Sequence, residues 1–229
     1  MAVDISERNF EEVVEAGLLR GGPDAPAAAS EVAAPVSAYG LYAAGGYHKR
    51  SWKDYDRALC LDAGMTIQFI QATQPKKWGQ LKSHYKDETE TRFLRRLSSE
   101  IDKRGTLDVL RKGVKDAGVK FDLIYYRPAS GLNPELQNLY EGNMFSVVRQ
   151  LRYSAKNENS LDVVLFLNGL PIFTAELKNP LNGQDVNNAI HQYRHDRDAR
   201  EPLLTFGRCL SHFAVDPLVA YVATKLEGP

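Results

Sequence analysis

Asp162, Glu176 and Lys178 are the residues whose types and spacing best suit chemistry. They stand in two β-rich runs, SLDVVLFL and LPIFTAELK, on either side of Asn168-Gly169. Asn-Gly between two such runs is a strong hairpin signal. Glu176 and Lys178 are two apart, so a strand places both on one face. Charges beside a buried core are costly unless they pair or bind a metal. Two carboxylates brought together repel, which makes a hard cation such as Mg²⁺ a natural third party. A bound divalent ion acidifies its water and stabilises charge on a phosphate. A nearby lysine can orient or deprotonate that water and meet the phosphate electrostatically. The plainer reading is a hairpin with ordinary exposed charges at one end.

The spacing constrains the geometry. A two-residue turn pairs Leu167 with Leu170, sets Asp162 against Ala175 and sends Glu176 to the opposite side of the sheet. An odd loop, such as three residues with a bulge, sets Asp162 against Thr174 and makes Glu176 a diagonal neighbour on the same face. Pro171 cannot donate to the ladder and is one place to hide such an offset. The metal-site reading therefore demands an irregular hairpin.

Other chemistries find little support. The sequence carries no Walker A run, no G-x-S-x-G elbow and no G-x-G-x-x-G after a strand. Cys60 and Cys209 form no disulfide framework or zinc signature, so a reducing cytoplasm is the default expectation. His191 and His195 lie four apart on an expected helix, a spacing that can grip a metal, but Gln192 stands where a helper Glu would be. Surface histidines are the commoner outcome.

The elements that must position these residues can be read from periodicity. Segment 5–20 reads as a helix with Phe10, Val13, Val14 and Leu18 at helical spacing and glutamates in its early turns. Of the 25 residues from Gly22 to Gly46, 18 are Ala, Gly, Pro or Ser, which marks a surface loop. From Trp52 to Gly118 the pattern is helical, with runs at 62–70, 89–104 and 107–117, and is taken as a helical insertion at about 50–118. After Val119 the texture turns β-rich: FDLIYYRP, Met144–Ser154 and the two hairpin runs, then a polar helix over 184–200 and closing strands at 211–215 and 219–223. This predicts an α/β fold with a mixed sheet of four or five strands in 119–229, flanked by helices. Lysine plus arginine equals aspartate plus glutamate at 29 each, so no global positive field draws the chain to nucleic acid. Between Arg92 and Arg127, however, ten basic residues face five acidic ones, either a solvated helix surface or a phosphate-tracking face. No apolar run is long enough to span a bilayer and the first residues do not read as a secretory signal, so no membrane partner is expected.

The stretch SLDVVLFLNGLPIFTAELKNP resembles the PD-(D/E)xK nuclease motif of the restriction (R) subunits of type I restriction-modification enzymes. DVNNAIHQYRHDRDAREPLLTFGRCLSHFAVDP, FSVVRQLRYSAKNENS and RALCLD resemble the same subunit, and the likeness covers most of 1–20 and 47–229. It implies a restriction-endonuclease-like fold and one endonuclease domain over 1–229, a fragment of a longer subunit in which an ATP-driven DNA translocase follows. ATP belongs to that motor region alone. Asp162, Glu176 and Lys178 match the catalytic positions directly, with the carbonyl of Leu177 as a further metal ligand. Glu11 is the best match for the leading acidic residue and Glu15 the second. The family's Q-x-x-x-Y departs here, because Gln192 is adjacent to Tyr193.

The resemblance implies a Mg²⁺-dependent DNA endonuclease acting on double-stranded DNA together with modification and specificity subunits. Gln192, Tyr193, Arg149 and Arg152 are the candidate DNA contacts. Arg149 and Arg152 have opposite strand parity, so at most one shares the metal face. The alternative is a non-catalytic DNA-guiding or subunit-docking module.

Overall fold

A computed structural model describes residues 6–19, 46–130 and 132–227. The centre is a six-stranded mixed sheet in the order β1 (Tyr47–Arg50), β6 (Phe145–Arg152), β7 (Ser160–Leu167), β8 (Leu170–Leu177), β9 (Ser211–Val215), β10 (Ala220–Ala223). β6, β7 and β8 form an antiparallel meander, while β1 on β6 and β9 on β8 are parallel. The β7–β8 hairpin is central, as its sequence predicts. Asn168 and Gly169 hold φ of 53° and 83°, the left-handed pair that a two-residue hairpin turn needs.

The sheet has one strand more than expected because β1, the short polar YHKR, pairs with β6 almost a hundred residues later. FDLIYYRP contributes no strand to this sheet. Only β5 (Val119–Phe121) forms there, paired with β4 (Val114–Asp116) in a separate ribbon. The reason lies in the next residue. The Gln74 side chain accepts from Asp122 N–H at 2.9 Å and donates to its carbonyl at 2.8 Å, taking the place of a strand partner.

The region 50–118 is mainly helical as expected: α2 (Ala63–Thr73), α3 (Pro75–Tyr85), α4 (Thr89–Arg104) and α5 (Thr106–Lys112), with the two-residue strands β2 (Tyr55–Asp56) and β3 (Leu61–Asp62) before α2. The helix expected over 107–117 stops at Lys112, because Gly113 at φ 71° ends it and β4 follows. α4 turns Phe93, Leu94, Leu97 and Ile101 inward. They join Phe69, Leu81, Phe121 and Leu170 in the largest apolar cluster, which ties the helices to the turn end of the hairpin. On the other side α1 (Glu7–Leu19) lays Phe10, Val14 and Leu18 over Val147, Val163 and Leu177. A short helix, α6 (Pro134–Glu141), is capped by Asn133. The expected helix over 184–200 is α7 (Val186–His191) running into a π turn, Gln192–Asp196. The expected loop at 22–46 lies outside the described residues, Gly46 excepted. Among the described residues no helix is long and apolar enough to cross a membrane.

Candidate active site

The hairpin is irregular, though not in the way sketched from its sequence. Leu167 pairs with Leu170 through a regular two-residue turn. The register then slips: Phe166 faces Pro171 but Leu165 faces Phe173, leaving Ile172 as the extra residue. The bulge therefore sits in β8 rather than in the loop. It shifts the register opposite to the three-residue loop, so Val164 faces Thr174 and Val163 faces Ala175. Continuing one step sets Asp162 opposite Glu176 itself, not opposite Thr174.

Beyond Val163 the ladder opens. The Asp162 carboxylate, not a main-chain carbonyl, accepts the Leu177 N–H, at 2.8 Å to Oδ2. Its Oδ1 accepts from Gln150 Nε2 at 3.0 Å. Glu176 is fully buried. Its Oε1 accepts from Arg197 Nε at 2.8 Å, and Arg197 Nη2 is anchored on the Ser160 carbonyl at 2.8 Å. Its Oε2 is buried with no hydrogen-bond partner among the described residues. Burial first, and the Asp162 charge second, push this carboxyl up to about 8 against the pull of Arg197.

α1 brings a third carboxylate. Glu11, buried, accepts from Gln150 Nε2 at 2.8 Å and from Arg149 Nε at 3.2 Å. Desolvation, with a contribution from Asp162, raises its pKa, while Gln150 and Arg149 oppose the shift. Glu15 instead pairs with Lys49 at 2.7 Å and Arg149 at 3.4 Å. Of the two glutamates, Glu11 is thus the one that reaches Asp162, through Gln150. Lys178 is buried at the end of β8, its Nζ 3.3 Å from Glu7 Oε2 on the first turn of α1.

The donor set suits a hard cation. Two carboxylates and a neighbouring main-chain carbonyl are its preferred ligands, and the orphan Oε2 of Glu176 is a buried acceptor lacking any donor. Among the described residues no three His, Cys, Asp or Glu side chains already converge at ligand distance. Asp162, Glu176 and the Leu177 carbonyl would be the first ligands, with Glu11 one amide away. The rings of His191 and His195 stack at 4.2 Å and gather no third ligand among the described residues.

The DNA-contact candidates separate sharply. Tyr193 is a core residue, which corrects its place among them. It is buried beside Leu203 and Leu204, and its hydroxyl lies 2.8 Å from Thr174 Oγ1. Thr174 also meets Nδ1 of buried His212 at 2.7 Å, and burial lowers the His212 pKa to about 4. This polar layer lies two residues along β8 from Glu176. Gln192 begins the π turn, with Oε1 buried and unpartnered. Arg149 points to α1 and is held by Glu11, Glu12 and Glu15. Its charge is committed inside the protein. Arg152 is half-exposed, pairs with Glu158 at 2.7 Å and lies 4.5 Å over the Trp52 ring. On α4 and α5, Arg92, Arg96, Arg104 and Lys112 pair with acids four residues away, the pattern of a solvated helix surface.

Gln150 and Arg197 went unread in the sequence. Both are ordinary polar residues without a local motif, and their contacts arise only when strand, helix and π turn meet.

No curated protein and no solved structure matches the chain. The family described as type I restriction enzyme R protein N terminus (HSDR_N) matches residues 68–229. That span holds the whole β7–β8 hairpin, the π turn, the second half of α2 and all of α3 to α7, while α1 with Glu11 lies before it. Covering well over half of the sequence, the match means that this chain belongs to the N-terminal region family of type I restriction enzyme R proteins.

Proposed function

We propose that the chain is a Mg²⁺-dependent DNA endonuclease domain of the PD-(D/E)xK type, hydrolysing phosphodiester bonds. The observation carrying this reading is the bulge at Ile172, whose register leads towards Asp162 facing Glu176, together with a buried Glu176 that feels the Asp162 charge and whose Oε2 lacks a donor. A structural hairpin gains nothing from such an arrangement. When bound, a divalent cation supplies a nucleophile from water at neutral pH and charge stabilisation at the phosphate. Asp162, Glu176 and the Leu177 carbonyl hold it. Lys178, steered by Glu7, orients the attacking water and balances charge developing on the phosphate. Arg197 fixes the Glu176 carboxyl so that one oxygen stays turned to the site.

Family membership supports work within a restriction system, alongside DNA, the modification and specificity subunits and the ATP-driven translocase of the whole enzyme. Zero net charge and the internal pairing of Arg149 support weak DNA affinity for the chain alone, because affinity for DNA is mainly phosphate contacts. The test is nicking of supercoiled DNA at high enzyme concentration. It is expected with Mg²⁺ and lost in Asp162→Ala. Nicking that persists with chelator, or is undiminished in the variant, would sink the reading.

A further inference from the structure

Gln150 is a common residue type in an uncommon position. It lies in β6 with φ of 49°, in the left-handed region that strains a side-chain-bearing residue. Its exposed side chain bridges sheet and helix. One amide nitrogen donates both its hydrogens to different carboxylates, Glu11 Oε1 at 2.8 Å and Asp162 Oδ1 at 3.0 Å. Its Oε1 accepts from Ser160 Oγ at 2.7 Å. The nitrogen thus sits where the two carboxylates meet and serves them with partial positive charge. Deeper in, Glu176 Oε2 remains a buried acceptor without a donor.

We propose that the Gln150 amide is a two-position element of the metal site, its nitrogen bridging Glu11 and Asp162 in the absence of a cation and its Oε1 turning in as a further ligand when a divalent cation takes that place. This inference rests on the metal-dependent nuclease reading. Cation and N–H compete for the same carboxylate oxygens, so both cannot be served at once. A hard cation accepts an amide carbonyl as a ligand. Turnover costs little at the other end, because a serine hydroxyl can donate or accept. Ser160 Oγ pairs with Oε1 in one position and with Nε2 in the other. Because Gln150 is exposed, water and ions reach it without opening the core.

The test uses the full 229-residue chain and Mg²⁺ alone, without DNA. Glutamine-selective ¹⁵N labelling isolates the Gln150 amide signal, assigned by its absence in Gln150→Lys. That signal should move in step with Mg²⁺ occupancy measured by calorimetry. Gln150→Lys places a permanent ammonium between the carboxylates and should raise the Tm without metal while weakening Mg²⁺ binding by at least about tenfold. Gln150→Glu should do the reverse, lowering the metal-free Tm and enlarging the rise on adding Mg²⁺. If the wild type binds Mg²⁺ while the amide signal stays still and both variants bind as it does, the inference falls and the metal site stands. If the wild type binds no Mg²⁺, inference and nuclease reading fall together.

Discussion

The two ends of the β7–β8 hairpin each bury a polar side chain, Asn168 and Glu176, and are built on opposite principles. At the turn, Asn168 is fully buried and its side chain is used throughout: Oδ1 accepts the Met144 N–H at 2.7 Å, and Nδ2 donates to the Leu123 carbonyl at 2.9 Å and to Asn143 Oδ1 at 3.0 Å. The Gly169 carbonyl accepts the Asp62 N–H at 2.9 Å, stitching the turn to the start of α2. At the open end Glu176 is as deeply buried, yet one oxygen has no donor and its neighbour is another carboxylate. Satisfied buried polar groups specify a fold, whereas an unsatisfied one lowers stability and persists where chemistry uses it. The same pair of strands therefore anchors the molecule at one end and leaves a buried carboxylate oxygen without a donor at the other.

The contrast is broken most directly by substituting each end. Glu176→Gln, which keeps an acceptor for Arg197, should cut metal-dependent nicking by ~10³-fold or more, about 4 kcal/mol in the barrier, while the Tm stays near that of the wild type. An unfolded variant would show that Glu176 is an anchor after all. Gly169→Ala should do the opposite. Its φ of 83° disfavours a side chain, and a Cβ there would run into the Thr66 hydroxyl and the main chain of Asp62 and Thr66. Urea denaturation should show a loss of roughly 3 kcal/mol or more. Wild-type stability in this variant would remove the turn from the comparison.

The layer beneath the site sharpens it through pH. Buried His212 is neutral in the folded chain, with a pKa lowered to about 4 from an ordinary 6.5. The unfolded chain therefore binds the extra proton more readily between those values, and stability rises with pH across that window. Acidification from 6.5 towards 4 should cost of order 3 kcal/mol from this residue. Glu176, raised to about 8, sets an opposite slope from 4.5 upwards, so the contribution is read as the difference between wild type and His212→Gln. An unchanged slope in that variant would mean His212 is not held neutral. The smallest effect belongs far from both ends. Arg92→Ala loses an exposed pair with Glu88 and a contact 5.1 Å over the Tyr85 ring, and should change stability by only about 0.5 kcal/mol. If it flattens the salt dependence of DNA binding in the whole enzyme, α4 tracks phosphate despite its internal pairs.

Legibility followed locality. Asn168-Gly169 announced its turn because the left-handed φ pair is a property of those two residues alone. The need for an offset followed from the distance between Asp162 and Glu176 in the sequence. The location of the offset did not, since a bulge at Ile172 and a longer loop satisfy the same need and are told apart by packing. β1 was invisible because YHKR has neither apolar alternation nor a nearby partner. α6 was missed although Asn133 and Pro134 form an ordinary helix start. Tyr193 stands seven residues after buried Val186 and four after buried Ala189, so helical spacing alone puts it on the inward face, and only the resemblance argued for a DNA contact. Gln150 and Arg197 acquire their roles only from neighbours far along the chain.

The bulge at Ile172 has a genetic consequence. Loss of that single codon would remove the slip and leave a more regular ladder, with Leu167 still opposite Leu170 and the Asn-Gly turn intact. Glu176 would stay opposite Asp162 in the shortened chain, because removing the extra residue leaves the pairs on either side of it unchanged. Loss of the Val164 codon is the opposite case: with the slip kept, Asp162 would fall against Ala175 and part from Glu176. An in-frame deletion screen should therefore score the first as silent by both expression and restriction of phage, and the second as null by restriction.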